Sequence, residues 1–72
     1  MACFLHYYRT VQPGKLRTIH HLTIAGETIT TTRSNEILLF AKPRVRDRFE
    51  WKHIKEAVRR GESLEIFGGK QD

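Results

Sequence analysis

Sulfur is scarce in this chain. Cys3 is its only cysteine, which rules out an intramolecular disulfide and a thiolate-rich zinc site and fits a reducing, cytoplasmic setting. Long apolar runs are missing too: the longest, Ile37 to Ala41, is far below the roughly 20 residues that a membrane-spanning helix needs. His6 and Arg9 interrupt Phe4-Leu5 and Tyr7-Tyr8, so no secretory leader is read there. There is no glycine-rich phosphate loop, because Gly68-Gly69 stands too near the C-terminus to cradle a nucleotide. No cofactor is expected.

The four histidines do not converge on a metal site. His20 and His21 are neighbours on an expected strand and so face opposite sides, His6 and Cys3 differ in parity, and four residues after His53 stands Ala57 rather than a ligand. Acids and candidate nucleophiles are scattered as well. Glu56 follows His53 by three residues and could orient it, but such pairs are common on helix surfaces, so the ribonuclease reading open to a small basic protein stays behind a binding role. No catalytic residues are expected.

What is present is one small domain's worth of chain. With 72 residues, 39% of them hydrophobic, only about 60% of the unfolded surface can be buried, too little for a large enclosed active site. Seven aromatic residues and a charged fraction of 29% nevertheless favour a fold over a disordered basic tail. Residues 1–67 are expected to form a single compact domain, and 68–72 a frayed C-terminal tail.

Cys3 to Val11 is rich in aromatic and β-branched residues and ends at Gln12-Pro13-Gly14-Lys15, where Pro and Gly suit the centre of a type II turn. Leu16 to Ile24 reads as the returning strand, closed by Ala25-Gly26-Glu27, and Thr28 to Arg33 as a third. After Ser34-Asn35, the run Glu36-Ile37-Leu38-Leu39-Phe40-Ala41 suggests a fourth strand covered on both faces. A helix over 47–60 carries the firmest signals: Asp47 with Glu50 resembles a capping box, Arg59-Arg60 suit the C-terminal dipole, and Gly61 stands where a left-handed cap belongs. Ile54, Ala57, Val58 and Trp51 share one side of it, and Trp51 reads as a core-edge residue rather than a stacking platform. Ser63 to Phe67 alternates as a last strand. The expected fold is α+β, in the order β-β-β-β-α-β, with a small antiparallel sheet and one helix packed on a sheet face or barrel end.

Charge is concentrated late in the chain. Positions 42 to 60 hold eight of the thirteen cations against three acids, Asp47, Glu50 and Glu56, so this stretch alone carries the formal net charge of +5. Lys42, Arg44, Arg46 and Arg48 alternate with other residues, and in an extended segment they would project to one side at intervals of about 6.6 Å. Lys52, Lys55 and Arg59 would continue that stripe along the helix. Such a face can simply keep a small protein in solution, but one-sided placement on two successive elements exceeds what solubility requires. An acidic partner is expected, either a protein surface or DNA or RNA. On this reading Arg44, Arg46 and Arg48 serve binding and not stability, whereas Leu39 belongs with Ile54 in the core.

Two further surfaces follow from parity. Tyr7 and Tyr8 face opposite sides of their strand, so one of them can be exposed. Thr28, Thr30 and Thr32 share a face on a strand with little burial signal, which suits a sheet edge able to pair with a partner's strand unless the chain's own terminal strand masks it.

In length, basic charge and strand-rich build with one late helix, and with Lys42-Pro43-Arg44-Val45-Arg46-Asp47-Arg48 as its basic element, the chain resembles the small Xanthomonas-phage-type regulators that lytic bacteriophages direct at host RNA polymerase. The resemblance implies a non-enzymatic transcription regulator in the host cytoplasm, which displaces sigma factor, inhibits initiation and permits read-through of terminators; a monomer is expected. A small nucleic-acid-binding module is the alternative.

Overall fold

The computed structural model describes residues 3–68 and shows an α+β fold in which one antiparallel sheet is covered on one face by two helices. Strand β1 (Cys3–Gln12) pairs with β2 (Arg17–Ile24), which pairs with β3 (Glu27–Thr31). The chain then forms helices α1 (Ser34–Ala41) and α2 (Arg48–Arg60) and returns as β4 (Leu64–Phe67) beside β1. The sheet order is therefore β3-β2-β1-β4. α1 lies against β2 and β3 while α2 reaches β4, so the two helices carry the chain from one sheet edge to the other across a single face. The sheet stays open.

The first hairpin follows its turn residues. Gly14 adopts φ 82° and Lys15 N donates to Gln12 O, as a type II turn requires of its glycine. β3 pairs no further along β2 than His20, and β4 no further along β1 than Tyr7. The end of the hairpin consequently projects as a two-stranded arm, which leaves Val11 and Leu16 exposed and the molecule 45 Å long but only about 20 Å across.

Period-two burial holds through the sheet. Leu5 and Tyr7 from β1 and Leu22 and Ile24 from β2 face the helices and meet Ile37, Ala41, Ile54, Ala57 and Val58 there. Tyr7 is fully buried and Tyr8 is 38% exposed on the other face, the split that strand parity predicts. Trp51 is half-buried against this core.

Ser34–Ala41 corrects the sequence reading: the fourth strand expected over 36–41 is a helix. Glu, Leu and Ala are good helix formers, and Ile37 and Ala41, one turn apart, are the residues it buries. Because Leu38, Leu39 and Phe40 are apolar as well, the 3.6-residue period disappears into a continuous run that reads equally well as a buried strand. Leu39 points away from the core and is 69% exposed, so it is not the core residue expected of it.

α2 has the predicted termini. Asp47 accepts a hydrogen bond from Glu50 N at 2.9 Å, and Gly61, at φ 75°, brings its own N–H and that of Glu62 onto Ala57 O. The Arg9 guanidinium lies where a Cβ would stand, but it is the end of a flexible side chain, so the positive φ is what favours glycine at 61. Only half of the capping box forms: the Glu50 carboxylate passes Asp47 and accepts instead from Arg46 N at 2.7 Å. Of the predicted tail, Gly68 is half-buried beneath Arg46, and 69–72 lie outside the described residues.

One buried polar pair gives the fold a pH dependence. His20 is 5% exposed and its Nδ1 lies 2.7 Å from the Tyr7 hydroxyl, which donates to it when the neutral ring carries its proton on Nε2. Burial lowers the His20 pKa below the usual 6.5, and Arg9 and His21 lower it further. The unfolded chain therefore takes up a proton near pH 6.5 that the folded chain still refuses. This group's contribution is intact above that pH and is lost as pH falls from 6.5 toward the depressed folded value, by up to about 1.4 kcal/mol per pH unit. Melting followed by circular dichroism should give a lower Tm at pH 5 than at pH 7.5, with a smaller difference in His20→Asn; equal pH slopes in the two proteins would contradict the assignment.

Candidate functional site

The basic stripe divides into two sets of residues. Lys42 to Asp47 is a sequence of turns rather than an extended segment, so the even spacing expected of Lys42, Arg44, Arg46 and Arg48 does not form. Pro43 and the αR conformation of Lys42 continue α1 into these turns, with Arg44 N and Val45 N both donating to Ala41 O.

Arg44 and Arg46 are engaged by carboxylates and rings of the fold itself. Arg44 forks onto Glu27, with Nε and Nη2 at 3.2 and 3.1 Å from its carboxylate, donates Nη1 to Phe40 O, and lies over the Phe40 ring. Its guanidinium holds the Glu27 carboxyl below the usual carboxylate range. Arg46 pairs with Glu50, which is only 5% exposed, and stacks 3.9 Å over the Phe4 ring. These two residues tie the α1–α2 connection to the sheet, and their charge is largely compensated.

The α2 cations do converge. Arg48, Lys52, Lys55 and Arg59 are all exposed and occupy a sector of about 60° on the helix, and among the described residues none has a carboxylate within 4.0 Å. Lys42 and Arg60 are likewise exposed and without such a partner. Lys55 also lies 5.2 Å from the Trp51 ring centroid, which steadies its aliphatic stem against the helix.

Lys52, Lys55 and Arg59 form one wall of a groove of about 620 Å³ between the helices, together with Glu56 and Val58 of α2 and Ser34 and Leu38 of α1. The floor is apolar and the rim cationic. Sequence reasoning found the rim and missed Ser34 and Leu38, since a strand over 36–41 places no such wall opposite α2. Their i, i+4 spacing was the available signal.

The β3 edge expectation also meets the geometry. β3 is an edge strand, β4 takes the opposite edge, and the chain's own terminal strand therefore leaves β3 unmasked. Thr28 and Thr30 are exposed, and Thr28 Oγ1 is engaged at 3.0 Å with Thr23 Oγ1. Thr32 lies beyond the end of the strand, at the turn into α1.

The uncovered sheet face bears His6, Tyr8 and His21. Tyr8 is stacked on His21 at 4.4 Å and flanked by His6 at 5.0 Å, and the Thr10 hydroxyl is 2.9 Å from His21 Nε2. The stacked His21 ring covers one face of Tyr8, and the row acts as a cross-strand brace. Among the described residues, no three His, Cys, Asp or Glu side chains gather at metal-ligating distance, and no helix is long and apolar enough to cross a membrane. No protein-family model, curated protein or solved structure matches the chain.

Proposed function

We propose that this is a non-enzymatic binding protein whose α2 face engages an acidic surface on another protein, and that this partner is a bacterial RNA polymerase, regulated in the manner of the small phage proteins the chain resembles. The observation that carries the reading is the alignment of Lys52, Lys55 and Arg59 along a groove, exposed and without carboxylate partners among the described residues. Cations left without a carboxylate among the described residues are available to an outside one, and they cluster where apolar surface lies beside them. Arg48 extends the charged face of α2, Lys42 adds an exposed cation at the end of α1, and the open β3 edge with Thr28 and Thr30 adds a place for strand pairing. Sigma displacement, inhibition of initiation and antitermination are the outcomes this binding would have.

Immobilised protein should retain purified, nuclease-treated bacterial RNA polymerase. Lys52→Ser/Lys55→Ser/Arg59→Ser should release it with a loss of several kcal/mol, at roughly 1 to 2 kcal/mol for each charged hydrogen bond, while its circular dichroism stays unchanged. Unchanged retention by the triple variant would remove α2 from the mechanism. Steeply salt-dependent binding to free DNA or RNA, with a log-log slope near −0.9 per phosphate contact and no retained polymerase, would reassign the face to nucleic acid.

A further inference from the structure

We infer that the groove between α1 and α2 is a seat for an acidic amphipathic helix of the partner protein; this inference rests on α2 being the partner-binding face. The floor supplied by Leu38 and Val58 is apolar, and the wall formed by Lys52, Lys55 and Arg59 is cationic, with Glu56 the only acid lining it. Its occupant must therefore carry an apolar stripe beside a carboxylate-rich one. Both walls are helices, whose backbone groups pair along their own axes beyond the first and last turns, so the groove offers side chains and no backbone ladder. A strand or irregular loop laid on that floor would bury unpaired N–H and C=O groups, whereas a helix satisfies its own. Only the helical occupant avoids that penalty.

The dimensions agree. Lys52 and Arg59, with Lys55 between them, stand seven positions apart on α2, about 10.5 Å of rise or two turns. Carboxylates spaced by one turn, about 5.4 Å, on a helix lying along the groove would fall opposite them. Its Leu-type side chains, at i, i+3, i+4 and i+7, would enter a space of about 620 Å³, within the roughly 300 to 1,000 Å³ typical of clefts that hold a ligand.

The full chain, labelled with nitrogen-15, would be titrated with an end-blocked peptide of about 18 residues that places Leu at i, i+3, i+4 and i+7 and Glu on the flanking positions. A scramble of the same composition serves as its control. Saturating amide shifts are expected at Leu38, Lys52, Lys55, Val58 and Arg59, with binding at least about tenfold weaker for the scramble and for Lys55→Glu/Arg59→Glu. Leu38→Gln, checked by its Tm to be folded, should lose about tenfold as well. Equal binding of peptide and scramble, or shifts confined to the β3 edge or to the open sheet face, would overturn the inference. If polymerase binding survives Leu38→Gln but not the α2 triple variant, the groove falls and the α2 reading stands. If the peptide seats in the groove but polymerase is not retained, the groove stands and the choice of partner falls. An oligo(dT) strand that displaces the peptide and shifts the same amides more strongly would overturn both.

Discussion

Ile54→Ala is expected to remove about 2 to 5 kcal/mol of stability, the range for truncating a fully buried aliphatic residue. Ile54 is completely enclosed and lies on α2 at the centre of the cluster formed with Leu5, Tyr7, Leu22, Ile24 and Ile37. At roughly 0.05 to 0.15 kcal/mol per residue, a 72-residue domain holds only about 4 to 11 kcal/mol in total. The variant therefore stands at the edge of folding, and a urea titration followed by circular dichroism should show its transition shifted far to lower denaturant. Leu39→Ala is the control, since its 69% exposure predicts a change within about 0.5 kcal/mol. Comparable losses in the two variants would mean that α1 and α2 do not bury the faces assigned to them.

Arg46→Ala should be the next most damaging change, at about 2 to 4 kcal/mol. Removing the guanidinium leaves the Glu50 carboxylate, 5% exposed, with the residue 46 N–H as its remaining donor, and uncovers the Phe4 ring. Breaking a fully buried ion pair costs about 3 to 5 kcal/mol, and the smaller figure reflects the exposure of the Arg46 end. The same urea experiment measures it. Arg46→Met/Glu50→Leu should recover most of the loss, because the penalty comes from a stranded charge and not from missing attraction. Arg44→Ala, whose partner Glu27 is exposed, should do far less. Near-wild-type stability of Arg46→Ala would show that the turn after α1 is held by something other than this pair.

That result also changes how the basic segment can be probed. Substituting Arg44, Arg46 and Arg48 together, which the sequence presents as a change to a binding stripe alone, would loosen the fold through Arg46, so a loss of partner binding in that variant could not be read as a lost contact. Among the described residues Lys52, Lys55 and Arg59 have no carboxylate partner whose charge their loss would strand. They are the substitutions that isolate binding.

Local chemistry explains which parts were legible beforehand. Pro13-Gly14 specifies its own turn, Asp47 and Gly61 specify the ends of α2, and alternation specifies which side of β1 and β2 is buried. Each signal is complete within a few residues. α1 was not legible in this way: its eight residues are short enough, and Ile37 to Ala41 apolar enough, that a buried strand and a half-buried helix share one pattern. The groove was missed with it, because a two-helix wall cannot be inferred when one of the helices is read as sheet.

The amino-acid order by itself determined the hairpins, the capped basic helix and the concentration of positive charge in positions 42 to 60, since turn preference, capping and formal charge are properties of neighbouring residues. Tertiary structure decided which of those cations remain outward. Glu27 and Glu50 reach Arg44 and Arg46 only because the sheet and the helix start bring them together, whereas no carboxylate among the described residues comes within 4.0 Å of Lys52, Lys55 or Arg59. Charge compensation depends on distance in space, and a stripe that looks uniform along the chain becomes two sets of residues with different duties once the chain folds.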